Sequence, residues 1–430
     1  MNLLLVTCGL PGPAYHGGAV TCWSIIKTML SRGHRVTVLS FFDMSDLNPY
    51  LDSKDMQVKA LQEIGASVKF IYYNHREFVT HKRLTNFFSK ITRRIYNFLT
   101  PAMDTLFPWA NLKLQTQEAV KNIRFDAIFC YHFDALSAIY NIKVAPIMVG
   151  LGDLWHLPAY FRWRAEKFSI KKYLYNYPNY LMFKSSSKKL MLEMLDHCQK
   201  KGAFANHYAG WLMRQKGYKD VLYLRTPVYD PVGNKWLELR KRIGKQNRKH
   251  RILMIGDVTG TAAKWGLRLL INEVLPILEN KYGLHGFEIN IVGGGLIDNE
   301  FKILEKLSYI NIKGRITPPD EEFLNSDILF VPTPIDLGIR VRIITGFSYG
   351  ACVVTHKANL KGIPEIMHKY NALVSETGCG LAREIITALE DNELRYTLRE
   401  NARKTFERYF SEETAAEYIV KEVETLKVHI

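Results

Sequence analysis

The sequence has little that would staple or anchor it. Its six cysteines, Cys8, Cys22, Cys130, Cys198, Cys352 and Cys379, are scattered through 430 residues with no close pair and no histidine at zinc-type spacing. That argues against a disulfide framework and a structural metal, and it fits a reduced, cytosolic setting. No apolar run approaches the roughly 18 residues needed to cross a bilayer. The N-terminal NLLLV is too short for a secretion signal and lacks its basic flank. A cytoplasmic protein is expected, neither exported by that route nor integral to a membrane. There is no Lys/Arg-rich low-complexity tail, no zinc-finger spacing, no basic-zipper heptad and no RNP-type motif, so a dedicated nucleic-acid module is not expected. A dinucleotide fingerprint is missing as well. Gly9, Gly12, Gly17 and Gly18 are spaced wrongly for G-x-G-x-x-G, and their loop is too long for the tight turn.

What is present is an ordinary globular composition, 47% apolar, in a chain long enough for about two to three domains. The formal net charge of +16 implies an anionic partner or surface. Charge alone leaves acidic lipid, phosphorylated substrate and nucleic acid open.

Residues 2–7 form an apolar, β-prone run, followed by the Gly/Pro-rich loop CGLPGPAYHGG, a helical pattern over 19–31 and a second strand over 35–40. This βαβ grammar implies a parallel sheet covered by helices. Further strands are predicted at 67–72, 127–131 and 146–149. Near Arg251 the grammar restarts, with RILMIG as strand, DVTGTAAKWG as loop, LRLLINEVLPILENKYG as helix and FEINIVGGG as strand. Two α/β halves are thus expected: 1–228, then a basic connection at 229–250, then 251–410. A C-terminal helix at 411–430 is placed to cross back to the first half. The cleft between two such halves is lined by the carboxyl ends of both sheets, where open α/β folds bind ligands.

The most informative stretch is 326–375. It reads as a strand, the loop Pro-Ile-Asp-Leu-Gly, and a helix over about 339–349 closed by Gly350. Free N–H groups at a helix start attract phosphate. Arg340 and Arg342 fall in that first turn, where cations oppose the helix dipole unless an anion binds there or an acidic neighbour pairs with them. Gly17 and Gly18 directly precede a helix, so backbone there can approach an anion; alone, the pair would pass for a flexible turn. Gly293 lies in the GGG run at another strand's end, where a plain loop is the simpler alternative. Lys264 would bring positive charge from the matching loop of the second half, or be a solvated lysine. His132 ends the strand at 127–131, where a side chain faces the cleft and can donate to a sugar hydroxyl or shuttle a proton. His156, with Asp153 nearby, ranks below it. Two basic, aromatic segments, at 81–109 and 161–189, suit either a membrane surface or the cover of a core.

In the order of these motifs the chain resembles GT-B glycosyltransferases of the GT4 type over most of its length. The best match runs through RILMIG, INIVGGG, INIKGRI, PTPIDLGIRVRII, SYGACVVTHKANLKGIPE and NALV. The resemblance implies two Rossmann-like domains facing each other across a cleft, with a helical C-terminal tail. It implies transfer of a sugar from a UDP-, GDP- or other NDP-sugar, usually with retention, to a glycan, lipid-linked or small-molecule acceptor. Neither a cofactor nor a protein-bound metal is implied, and no D-x-D triplet occurs. By the same resemblance Gly17 and Gly18 fall beside the donor phosphates, His132 near the transferred sugar, and Gly338, Arg340 and Arg342 at the diphosphate. Lys264 falls near the family's phosphate-binding lysine, although Asp257 stands where an arginine is customary. The larger departure is at the E-x7-E motif, whose two positions are Leu337 and Thr345. A threonine hydroxyl forms fewer and weaker bonds to a ribose than the glutamate it replaces. Another residue holds the ribose, the donor is unusual, or the protein is a non-catalytic scaffold for a partner glycosyltransferase.

Overall fold

The computed structural model describes residues 1–13, 17–44, 51–73, 112–165, 170–215, 217–243, 249–256, 260–294 and 299–426. The basic aromatic segment at 81–109 and Asp257 lie outside them.

Among the described residues, thirteen parallel strands form two sheets. The first contains β1 (Asn2–Cys8), β2 (Arg35–Asp43), β3 (Ser67–Tyr73), β4 (Ala127–Tyr131), β5 (Ile147–Leu151), β6 (Lys200–Ala203) and β7 (Val221–Tyr223), in the order β3-β2-β1-β4-β5-β6-β7. The second contains β8 (His250–Ile255), β9 (Phe287–Val292), β10 (Ile310–Gly314), β11 (Ile328–Val331), β12 (Val353–His356) and β13 (Ala372–Ser375), in the order β10-β9-β8-β11-β12-β13. The central strands are covered on both faces. Leu3 to Val6 are all buried, as are Ile328 to Val331, which is why these strands read as unbroken apolar runs rather than alternations. Each sheet reverses its winding once, between β1 and β4 and between β8 and β11, and a crevice opens at the carboxyl end of such a reversal.

Four local differences from the sequence expectations have physical causes. The predicted loop at 257–266 is already helical from Thr261, in the helix Thr261–Leu269. Gly266, taken as the loop's end, instead lets that helix approach β11: a Cβ there would meet Pro332 at 3.3 Å. Strands β6 and β7, only four and three residues long, escaped notice because KKGA and VLY are too short to show a period. The expected connection at 229–250 contains the helix Trp236–Ile243. Within its basic run Arg240 is buried, donating to the carbonyls of Tyr349 at 2.7 Å, Phe323 at 2.9 Å and Ser326 at 3.2 Å.

After the helices Gly378–Glu390 and Asn392–Tyr409, the helix Glu417–Glu424 returns to the first sheet. Its Ile419, Val420 and Val423 share a core with Leu3, Ile25, Ile26 and Val36. Lys27 pairs with Glu412 at 2.7 Å, and Arg32 and His34 with Glu424 at 2.8 and 2.6 Å. Most of the gain there is apolar burial, about 1.5–3 kcal/mol per side chain; the half-exposed pairs add little.

Candidate functional site in the interdomain cleft

A cavity of about 1250 Å³ lies where the two winding reversals face each other. The loops after β1, β4 and β5 form one wall, and the loops after β8, β9, β10 and β11 form the other. The walls touch at Gly17, where a Cβ would stand 2.8 Å from the Val341 side chain.

On the first wall, Gly17 and Gly18 open the helix Gly17–Ser31 and line the cavity. His132 sits at the junction of β4 and the helix His132–Ile139 with φ of 72°, a conformation that costs a non-glycine residue energy and concentrates at functional positions. Its ring stacks on Tyr131 with centroids 4.0 Å apart and fills the space beside Gly152. Below it, Asp134 also lines the cavity. Burial pushes its carboxyl up to about 6, against the opposing hydrogen bond from the Trp155 indole at 2.8 Å.

The second wall is built around the helix Val341–Ser348, with Arg340 at its N-cap and Arg342 in its first turn. Gly338 has φ of 66° and comes so close to Asp153 that a Cβ would stand 2.5 Å from the carboxylate. Its N–H donates to the Tyr208 hydroxyl at 2.8 Å, and that hydroxyl lies 3.3 Å from Asp153 Oδ1. Asp153 and Tyr208 belong to the first wall and Gly338 and Arg340 to the second, so this cluster ties the walls together. Desolvation lowers the pKa of Arg340, and the Asp153 charge opposes that shift. Burial likewise raises Asp153, and Arg340 foremost pulls it back. Each charge thus partly offsets the other's desolvation. One Arg340 donor reaches the Leu337 carbonyl, while its Nε has no hydrogen-bond partner. The Arg342 guanidinium lies over Gly256, where a Cβ would meet its Cζ at 2.8 Å.

Of the residues singled out from sequence, Gly17, Gly18, His132, Gly293, Gly338, Arg340, Arg342 and Thr345 all line this one cavity. Lys264 does not; it lies in the helix Thr261–Leu269. His156 is buried away from the cavity, its pKa pushed down to about 4 by desolvation and by Lys184 and Lys188. Tyr208, Asp134 and Arg315 are not among the residues singled out from sequence, and Asp153 is there only as the neighbour of His156. Asp153 immediately follows Gly152 at the end of β5, the same strand-end signal that picked out His132.

No family model matches the sequence, and no curated protein matches it. Solved structures match over the whole chain. Anabaena HepE in complex with UDP and glucose is 15% identical with a TM-score of 0.63, covering 99% of this chain and 100% of that one. Sucrose-phosphate synthase from Thermosynechococcus elongatus is 10% identical with a TM-score of 0.68, covering 99% and 98%. A variant of S. aureus TarM in complex with fondaparinux, α-GlcNAc-glycerol and UDP is 13% identical with a TM-score of 0.66, covering 99% and 100%. With two facing parallel sheets, a returning C-terminal helix and these full-length matches, the chain has the GT-B fold and resembles GT4-like glycosyltransferases in structure.

Proposed function

We propose that this chain is a glycosyltransferase that moves a sugar from a nucleotide-sugar donor to an acceptor, with retention and without a protein-bound metal. The observation that carries this reading is the pair Arg340 and Arg342 at one helix start, facing the strained His132 across a single cavity. As the bond from the anomeric carbon to the diphosphate oxygen breaks, negative charge grows on the departing nucleoside diphosphate. Fixed cations in a partly desolvated site stabilise that charge more strongly than water-exposed ones would. His132 faces the sugar or its acceptor. Contact of the walls at Gly17 and Val341 and through Tyr208 and Gly338 keeps water from competing with the acceptor hydroxyl.

The relatives' ligands suggest the donor class, since HepE is seen with UDP-glucose and TarM with UDP. Release of nucleoside diphosphate from a panel of UDP-, GDP-, ADP- and dTDP-sugars tests the assignment. Turnover that is lost on His132→Ala supports it. Donor binding without turnover by the intact protein would favour the second reading, a non-catalytic scaffold for a partner glycosyltransferase, which Leu337 and Thr345 at the E-x7-E positions motivate.

For location, we propose a peripheral association with an anionic membrane surface. No described helix is long and apolar enough to cross a membrane. The helix Ile170–Asp196 carries exposed Ile170 at its start and, further along, exposed Leu181 near Lys184, Lys188 and Lys189. Absence of co-sedimentation with acidic liposomes would remove this proposal.

A further inference from the structure

The threonine at 345 leaves the second wall without the carboxylate its family places there, yet that wall still carries one. Among the described residues that line the cavity the carboxylates are Asp134, Asp153 and Asp320. Asp134 and Asp153 stand on the first wall, and Asp153 is engaged with Arg340. Asp320 alone stands on the second. It follows the segment 315–319, which lines the cavity beyond the end of β10, and it opens the helix Asp320–Asn325.

Asp320 faces a fixed hydroxyl. Tyr349 lies four residues after Thr345, one turn along, so the two side chains share a helix face. Its ring is stacked on Phe323 with centroids 4.6 Å apart and planes 7° from parallel. Its backbone carbonyl accepts the Arg240 Nε–H at 2.7 Å. Held at both ends, the ring presents its hydroxyl to Asp320. Burial, then the charge and hydrogen bonding of Asp320, push the phenol's pKa upward. Tyr349 therefore remains a neutral donor to the carboxylate, orienting one oxygen and leaving acceptor capacity turned toward the cavity.

We propose that Asp320, positioned by Tyr349, accepts the ribose hydroxyls of the bound nucleotide in place of the missing glutamate, and so makes the site select ribonucleotides over deoxyribonucleotides. This rests on the nucleotide-sugar reading of the cavity. A carboxylate is a poor neighbour for a diphosphate, so its useful place is the sugar end of the nucleotide, away from Arg340 and Arg342. Two adjacent hydroxyls can donate to it, and charge-assisted bonds of this kind are the strong ones. Thr345, with one hydroxyl, can add a single contact beside it.

The test is calorimetry on the full chain with UDP, GDP and ADP and their 2′-deoxy counterparts, for wild type, Asp320→Asn and Tyr349→Phe. Wild type is expected to prefer the ribonucleotide about 10- to 100-fold. Asp320→Asn is expected to erase most of that ratio by weakening only the ribonucleotide, and Tyr349→Phe to reduce it partly. Melting curves confirm that both variants are folded; if one is not, the other carries the test. Equal weakening of both nucleotides by Asp320→Asn, or a ratio that survives it, overturns the assignment while leaving the nucleotide reading standing. No binding of any nucleoside diphosphate to wild type overturns both.

Discussion

The His132 imidazole occupies the volume that a side chain at position 152 would need: a Cβ on Gly152 would stand 2.3 Å from His132 Cε1. A strained histidine at the end of β4 is thus held in place by the absence of a side chain at the end of β5. Gly152→Ala is expected to swing the ring away from Tyr131 and lower turnover toward that of His132→Ala. The stability loss should be only about 1–3 kcal/mol, because the obstacle is a ring that can move. Turnover and denaturant unfolding measured on the same protein check this; full activity in Gly152→Ala would show that His132 need not sit where it does.

Arg340 and Arg342 differ in what their loss exposes. Arg342→Ala removes charge from the cavity, whereas Arg340→Ala also leaves Asp153 without its principal counter-charge. Either is expected to lower kcat by about 10²–10³, the scale found for removing one oxyanion donor. Arg340→Ala should also lower the melting temperature. The double variant Arg340→Ala/Asp153→Asn should regain part of that stability without regaining turnover. Melting and turnover data on the three proteins decide it.

The Asp134 carboxyl is pushed up from 3.8 to about 6 by burial, against the Trp155 hydrogen bond. The folded protein therefore holds this proton more tightly than the unfolded chain does. The stability it contributes is complete below the ordinary value and is lost as pH rises through about 6. Relative to wild type, Asp134→Asn is expected to gain melting temperature as pH rises from 3.8 to about 6, the two values that bound the window. Parallel melting curves for the two proteins would contradict this.

Ile419 is buried beneath the first sheet although it lies near the end of the sequence. Ile419→Ala is expected to cost about 2–5 kcal/mol, as for other large-to-small core changes. Arg32→Ala, which breaks part-exposed pairs with Glu417 and Glu424, should cost far less than that. Urea unfolding of the two variants gives the comparison.

The two-sheet architecture was legible because parallel strands buried on both faces write themselves as continuous apolar runs, as NLLLVTC and HRILMI do. That Arg340 and Arg342 belong to one helix start on the cavity was legible because cations at a helix start are conspicuous in any sequence. Tyr208 was not. Its importance comes from a contact to Gly338 across the cleft, between residues 130 positions apart, and no local pattern encodes such a contact. The loop expected at 257–266 proved helical from Thr261 for the opposite reason. Gly266 suggests a loop by its chemistry, but here it serves close packing of a helix on Pro332. Asp320 reads in sequence as an ordinary acidic residue at a helix start, and only the cavity distinguishes it.

Calorimetric titration of the intact protein with UDP, GDP, ADP and dTDP, repeated on Arg340→Ala/Arg342→Ala, addresses the central claim most directly. At least one ribonucleoside diphosphate should bind wild type and lose most of its affinity in the double variant. If none binds wild type, or if the double variant binds just as tightly, the cleft is not the donor site proposed for it.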